Sequence, residues 1–413
     1  MFAFGMRDME EIVAFVLRLS LPFAVSMLLF SGVVVAAPRA YVGSYTPEPT
    51  ARAQNHGEGI YFTDVNSATG APSTPRLVAS ALSPSWLALS ADHKFLYASS
   101  EILSHEGKEG GLVTAFAIDP AGGALHQINA VSSIGAGPAY VSMHPSGKFV
   151  MTANYYGGSY TVIRLRPDGG LGEVTDVVQL PPAPPPAADP AAAPTAGGRG
   201  GFVGPPPPGH ARGHMIGTDP SGQFVIGNDT GTFKILVWRL NTDTGKLTQV
   251  SSTQTEVGTG PRHFVFSPDG KILYQLYESS AQLAVYDFNN GHPTLKQTPV
   301  STVAPGYAGN ASTSELLISK DGKYLYSGNR GPDSIAVWSV DAKGLVTRIA
   351  DVGTEGGTPR SLALDPSGQF LYSMNQRSDT LTTFRIDTRT GIPRFTGSTV
   401  PVGTPSSMLF MPE

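Results

Sequence analysis

Hydrophobic and polar positions alternate along most of this chain with a period of two, the spacing that puts successive side chains on opposite faces of a β-strand. The alternation is punctuated in a repeated way. An apolar run such as WLALS, YVSMH, HFVFS, LLISK or SLALD enters a polar turn, after which apolar and small residues alternate again. Six segments share this form: SADHKFLYAS from Ser90, HPSGKFVMTA from His144, DPSGQFVIGN from Asp219, SPDGKILYQL from Ser267, SKDGKYLYSG from Ser319 and DPSGQFLYSM from Asp365. Asp, Ser and Pro open such turns and Gly supplies a positive φ, so each segment predicts a β-hairpin. A third run follows each hairpin, read as GLVTAFAID, SYTVIRLR, FKILVWRL, AQLAVYDF, DSIAVWSV and DTLTTFRID. A turn such as TGKL or TGIP then leads to a weaker fourth strand.

Four strands recurring roughly every 50 residues predict the blades of a propeller, and the period of two excludes a helical solenoid. The termini supply one more blade. PSSMLFMP near the C-terminus reads as a first strand with no hairpin after it, whereas AYVGSYT, GIYFTDV and PRLVAS read as strands two to four with no first strand. The expected fold is an all-β, seven-bladed β-propeller over residues 38–413, its last strand closing the ring with the N-terminal strands. Such closure removes the open edges that a linear array of sheets would expose.

Two stretches fall outside the repeat. Residues 1–37 contain LSLPFAVSMLLFSGVVVAAPRA after Arg18, an apolar run ending in small residues around Ala36 and Ala37. This predicts a secretory signal peptide and a periplasmic or secreted protein. The run is also long enough to serve as a membrane anchor, and Asp8, Glu10 and Glu11 are unusual before a signal peptide. After leader cleavage no stable membrane insertion is expected. The second stretch, LPPAPPPAADPAAAPTAGGRGGFVGPPPPG at about 180–209, cannot build a packed core and is expected to be a solvated loop between blades; its place beside the channel mouth also allows a lid.

Composition narrows the remaining classes. With 48 Gly and 35 Pro in 413 residues the chain is rich in turns, and it has no cysteine, which excludes thiol nucleophiles, thiolate metal sites and disulfides. A net charge of -4 with no basic run gives no footprint for nucleic acid. There is no GxSxG elbow and no phosphate-cradling GxxxxGK[ST] loop. His210 and His214 are four residues apart, but between Gly and Pro and not on a helix, so neither a metal nor a cofactor is expected.

Propeller geometry then gathers candidate chemistry. Residues entering each first strand, and those just after each second strand, share one end of the ring and are expected to face the central channel. The first set is Trp86, Tyr140, His214, Arg262 with His263, Glu315 and Arg360. The second is Glu101, Asn154, Asn228 with Asp229, Glu278, Asn329 with Arg330, and Asn375 with Gln376. Three Arg, three Glu and two His at equivalent positions suit an anionic ligand or proton transfer. The alternative is a structural one: Arg262, Glu278, Glu315 and Arg330 as inter-blade salt bridges, His263 as a strand cap, and the Asn side chains closing turns.

The same segments carry a resemblance. AYVGSYT, the PSG and PDG hairpins, GPRH at Gly260 to His263, SELLISKDGKYLYSGNRGPDSIAVW from Ser314 to Trp338, and TPRSLALDPSGQFLYSMNQRSDT resemble the lactonase family of seven-bladed propellers. That family includes propeller-type 6-phosphogluconolactonases and fungal 3-carboxy-cis,cis-muconate lactonizing enzymes. The resemblance covers nearly all of the chain after the leader except the proline-rich insertion. It implies a catalytic set of Arg262 from GPRH, Glu278, Arg330 from the NRG element and a histidine. In place of the family's PHxH element this chain has GHARGHMI, which makes His214 the match and His210 a displaced neighbour. Glu315, Glu101, Asn154, Arg360 and His210 complete the set as expected substrate-binding residues.

Chemically, lactone opening needs an activated water and a stabilised oxyanion. His214 or Glu278 could take the proton, and Arg262 or Arg330 could hold the oxyanion or an anionic substituent. The expected activity is hydrolysis of a sugar lactone by a monomer with a small-molecule partner. A muconate-type lactonizing cycloisomerase and a non-catalytic envelope propeller are the alternatives. A cleaved leader favours an unphosphorylated lactone, because phosphorylated sugar intermediates are cytosolic.

Overall fold

A computed structural model describes residues 37–48, 54–182 and 209–412. The expected leader at 1–37 therefore lies almost wholly outside the described residues, as does most of the proline-rich insertion. No helix among the described residues is long and apolar enough to cross a membrane.

Seven four-stranded antiparallel sheets account for the repeat. In chain order the first strands of the blades are Pro84–Leu89, Pro138–Met143, Gly213–Thr218, Pro261–Phe266, Ser312–Ile318, Pro359–Leu364 and Pro405–Met411. Each first strand packs against the first strand of the next blade, and the last packs against the first, so these strands line the centre of a closed ring. In the seventh blade Pro405–Met411 pairs with Arg39–Ser44, which pairs with Gly59–Asp64 and then Arg76–Ser80. Both ends of the described ring thus meet in one sheet, as the unpaired terminal strands predict.

The turn residues of the repeat act as local caps. Ser90, Ser267 and Ser319 each accept the backbone N–H five residues on through Oγ, at 3.0 Å in each case. Asp219 and Asp365 accept the same N–H through Oδ1 at 2.7 and 2.8 Å. The glycine of each PSG or PDG turn has φ near +70°, a left-handed conformation with no Cβ penalty. In the first hairpin His93 occupies that place with φ 56°.

Packing is organised between blades. Seven apolar clusters each join two neighbouring sheets, for example Met151, Tyr160 and Val162 of the second blade against Ile216, Val225 and Trp238 of the third. Another joins Tyr41, Ile60 and Phe62 of the seventh blade to Leu96, Ala98 and Phe116 of the first, so the closing blade is held like the others. Burying each large side chain contributes about 1.5–3 kcal/mol, and alternating strand residues supply both faces of every sheet. Tyrosines rivet the arrangement. The hydroxyls of Tyr97, Tyr326, Tyr372 and Tyr41 donate to the carbonyls of Gly169, Gly391, Gly70 and Gly123 at 2.9–3.0 Å, each in a turn of the next blade.

One irregularity recurs in all seven blades and positions the candidate site. Pairing between the first and second strands slips by one residue near the entry of the first strand, between Pro84 and Trp86, Pro138 and Tyr140, Gly213 and Met215, Pro261 and Phe264, Thr313 and Leu316, Pro359 and Ser361, and Pro405 and Ser407. Such a bulge leaves an extra residue unpaired and redirects the side chains beside it. His214, Arg262, Glu315 and Arg360 all fall within these slips.

Candidate active site at the channel mouth

The bulges place side chains on two tiers. The outer positions hold His214, Arg262 and Arg360 in blades three, four and six. One residue further in lie Trp86, Tyr140, His263, Glu315 and Ser361. These inner side chains touch in sequence: Trp86 stacks on Tyr140 with ring centroids 4.5 Å apart, and the His263 ring meets both edge-on at 5.2 and 5.4 Å. Beyond them the channel continues as a space of about 310 Å³ lined by Leu89, Val141, Met143 and Met408 among others. The aromatic pair forms a floor between that apolar space and the polar mouth.

On the outer tier Arg262 is wholly buried, and none of its three guanidinium nitrogens has a hydrogen-bond partner among the described residues. Its nearest carboxylate is Glu278, whose Oε1 lies 3.6 Å from Arg262 Nε. Arg330 donates to that same oxygen through Nη2 and also to the carbonyl of Thr313 at 2.6 Å. Two guanidinium groups therefore share one carboxylate, leaving a net positive charge in a water-poor place. A buried cation without hydrogen bonds from the surrounding side chains is costly.

His214 is buried at the entry of the neighbouring blade, its Nδ1 without a hydrogen-bond partner among the described residues. Burial, then the charges of His263, Arg360 and Arg330, hold its pKa well below the usual 6.5. At neutral pH it is an uncharged imidazole. Tyr155 meets the ring edge-on at 5.5 Å, and burial pushes that phenol up to about 12.

The remaining expected residues divide. Arg360 and Glu101 are brought to the same end, and Tyr45 links them: its hydroxyl donates to Glu101 Oε2 at 2.8 Å and accepts from Arg360 Nε at 3.0 Å, while Arg360 Nη2 and Glu101 Oε2 are 3.7 Å apart. This bridge joins blades one, six and seven. His210 sits one step outside, its Nε2–H donating to the Tyr156 carbonyl at 2.9 Å. The Asn154 amide is committed between blades, donating to Ser133 O at 3.2 Å, Ser159 Oγ at 3.0 Å and Thr161 Oγ1 at 3.1 Å. Asn329 and Asn375 bond Thr302 O and Thr354 O in the same way, so the amide N–H groups of this row lock loops.

His263 is the residue that sequence reasoning set aside as a strand cap. It lies at the middle of the inner tier, within 5.1 Å of the His214 ring, and Nδ1 is 2.8 Å from Glu315 Oε1. Glu315 in turn accepts from Leu316 N at 3.1 Å and from Ser361 Oγ at 2.8 Å. Strict strand alternation would turn His263 away from Arg262; the bulge brings both inward. The pattern in GPRH alone does not reveal this.

A ring of seven four-stranded antiparallel blades defines the class: a seven-bladed β-propeller. The family model for Lactonase, 7-bladed beta-propeller, matches residues 39–410. A 6-phosphogluconolactonase of Bacillus subtilis is 30% identical over 328 residues, spanning 79% of this chain and 84% of that one. A 6-phosphogluconolactonase of Formosa agariphila is 30% identical over 333 residues, 79% and 86% of the two chains. The solved structure of a periplasmic gluconolactonase from Pseudomonas aeruginosa superposes with a TM-score of 0.80 at 28% identity, covering 91% of this chain and 99% of that one. This chain belongs to the lactonase family of seven-bladed β-propellers.

Proposed function

We propose that this chain hydrolyses a sugar lactone at the channel mouth. The observation that carries the reading is the wholly buried Arg262 guanidinium, without a hydrogen-bond partner among the described residues, beside the Arg330–Glu278 pair and one blade from a neutral His214. His214 accepts a proton from water as the water oxygen bonds to the lactone carbonyl carbon. The carbonyl oxygen becomes an oxyanion held by Arg262, which is the kind of preorganised donor that stabilises developing charge. The bond from that carbon to the ring oxygen then breaks, the ring oxygen takes the proton back from the imidazolium, and the product is an open hydroxy acid. Glu278 lies between two guanidinium groups, so its role is counter-charge and not base. Arg330 is left to orient an anionic or hydroxyl substituent.

The names of the three relatives favour hydrolysis over the lactonizing direction and over a purely binding role. Export through the 1–37 leader would place the protein in the periplasm, where a plain aldonolactone is the accessible substrate. The test is a pH-stat assay of purified protein against phosphorylated and plain six-carbon aldonolactones. Acid release well above the uncatalysed rate, strongest with a plain lactone, is expected. Rates equal to background for every lactone would overturn the reading.

A further inference from the structure

Glu315 and His263 form a second unit beneath the residues just assigned, and this inference rests on the hydrolytic reading. Both carboxylate oxygens of Glu315 are engaged, Oε1 by His263 and Leu316 N and Oε2 by Ser361, so neither is free for a substrate. Both side chains are almost wholly buried, His263 at 1% and Glu315 at 5% exposure, one tier below Arg262. A carboxylate on Nδ1 fixes the orientation of an imidazole and keeps a proton on that nitrogen. His263 carries that fixed geometry to its own neighbours, with the His214 ring 5.1 Å away at 71° and Trp86 and Tyr140 edge-on.

We propose that the Glu315–His263 pair is a positioning unit for lactone opening: it anchors the ring against which His214 is oriented. The pair does not touch the lactone. Its effect reaches the reaction through the direction of His214. The groups facing His214 are His263, Arg360 and Arg330, with Tyr155 on its remaining side. Arg360 is engaged with Tyr45 and Glu101, and Arg330 with Glu278. His263 is thus the member of this group whose proton depends on a dedicated carboxylate.

Two variants and one spectroscopic measurement test it. Glu315→Gln keeps the shape and the acceptor but removes the charge. The double variant His263→Phe, Glu315→Gln keeps ring volume against Trp86, Tyr140 and His214 without leaving an orphaned buried carboxylate. Each folded variant is expected to lose kcat by about tenfold or more, with KM within about twofold, as for a residue acting on the transition state and not on substrate binding. In the wild-type chain, ring-nitrogen NMR at neutral pH is expected to show a proton on His263 Nδ1 and an uncharged His214. Folded variants with the wild-type kcat would overturn the proposal, as would a bare His263 Nδ1. If the wild-type protein opens no lactone, the function fails separately, and the NMR spectrum still decides the state of the two rings.

Discussion

Individual side chains in this ring are held in conditions they would not choose in water, and each such case has a measurable consequence. Arg262 is the costliest, and the bulge beside Pro261 is what turns it inward. Ile134 is another: it is exposed, yet has φ 64°, a left-handed conformation in which a β-branched residue is strained. It lies in the loop after the first blade, where Asn154 and Thr161 hold the carbonyl of Ser133 in place. Asparagine tolerates that φ. Ile134→Asn is expected to stabilise the protein by about 1 kcal/mol, read as a higher urea midpoint with an unchanged slope. A lower midpoint would show that the Ile134 side chain makes a contact worth more than the strain.

At the scale of the blade, the repeat explains why so much was legible beforehand. A hairpin such as SKDGKYLYSG contains its own cap in Ser319, its own positive-φ glycine in Gly322, and in Tyr326 the rivet to the next blade. Six copies of such a unit determine strand order without tertiary information, and the unpaired strands at the two termini then require a seventh blade. Tyr326→Phe tests the rivet. It removes a buried hydroxyl whose loss also strands the carbonyl of Gly391, and is expected to cost about 1–2 kcal/mol of stability with little change in rate. What the pattern could not give is the bulge, because a one-residue slip in pairing leaves no mark in apolar and polar alternation. His214, Arg262, His263, Glu315 and Arg360 are all legible as strand entries, but the pattern does not show that His263 and Glu315 pair one tier below the others. The Asn amides close loops, as the structural alternative has it, since polarity at a strand end suits a channel and a turn equally. A signal was present: Asn154 precedes Ser159 and Thr161 at the spacing with which Asn375 precedes Thr380 and Thr382, the hydroxyls to which those amides bond.

Across the whole molecule, ring closure and the site share an end. The Tyr45–Arg360–Glu101 bridge ties the closing blade to blades one and six at the mouth, so the site is assembled only when the ring is complete. The buried, neutral His214 also links stability to pH. In the unfolded chain it would bind a proton as pH falls through about 6.5, whereas in the fold it resists protonation until well below that. The unfolded state then holds more protons, so stability falls as pH drops from about 6.5 towards the folded pKa, and is fully present above that window. Equilibrium unfolding across that range is expected to show this decline, and His214→Asn to flatten it. An equal slope in the variant would place the effect elsewhere.

The proposed opening of lactones rests on the buried Arg262 guanidinium at the mouth of the channel. It is tested most directly by kcat/KM for the best aldonolactone in wild-type protein and in Arg262→Met, a variant that fills the same volume without the charge and leaves Glu278 with Arg330. A fall of about 100-fold or more in a variant that remains folded is predicted, the scale on which loss of an oxyanion donor is felt. An unchanged kcat/KM in folded Arg262→Met would contradict it.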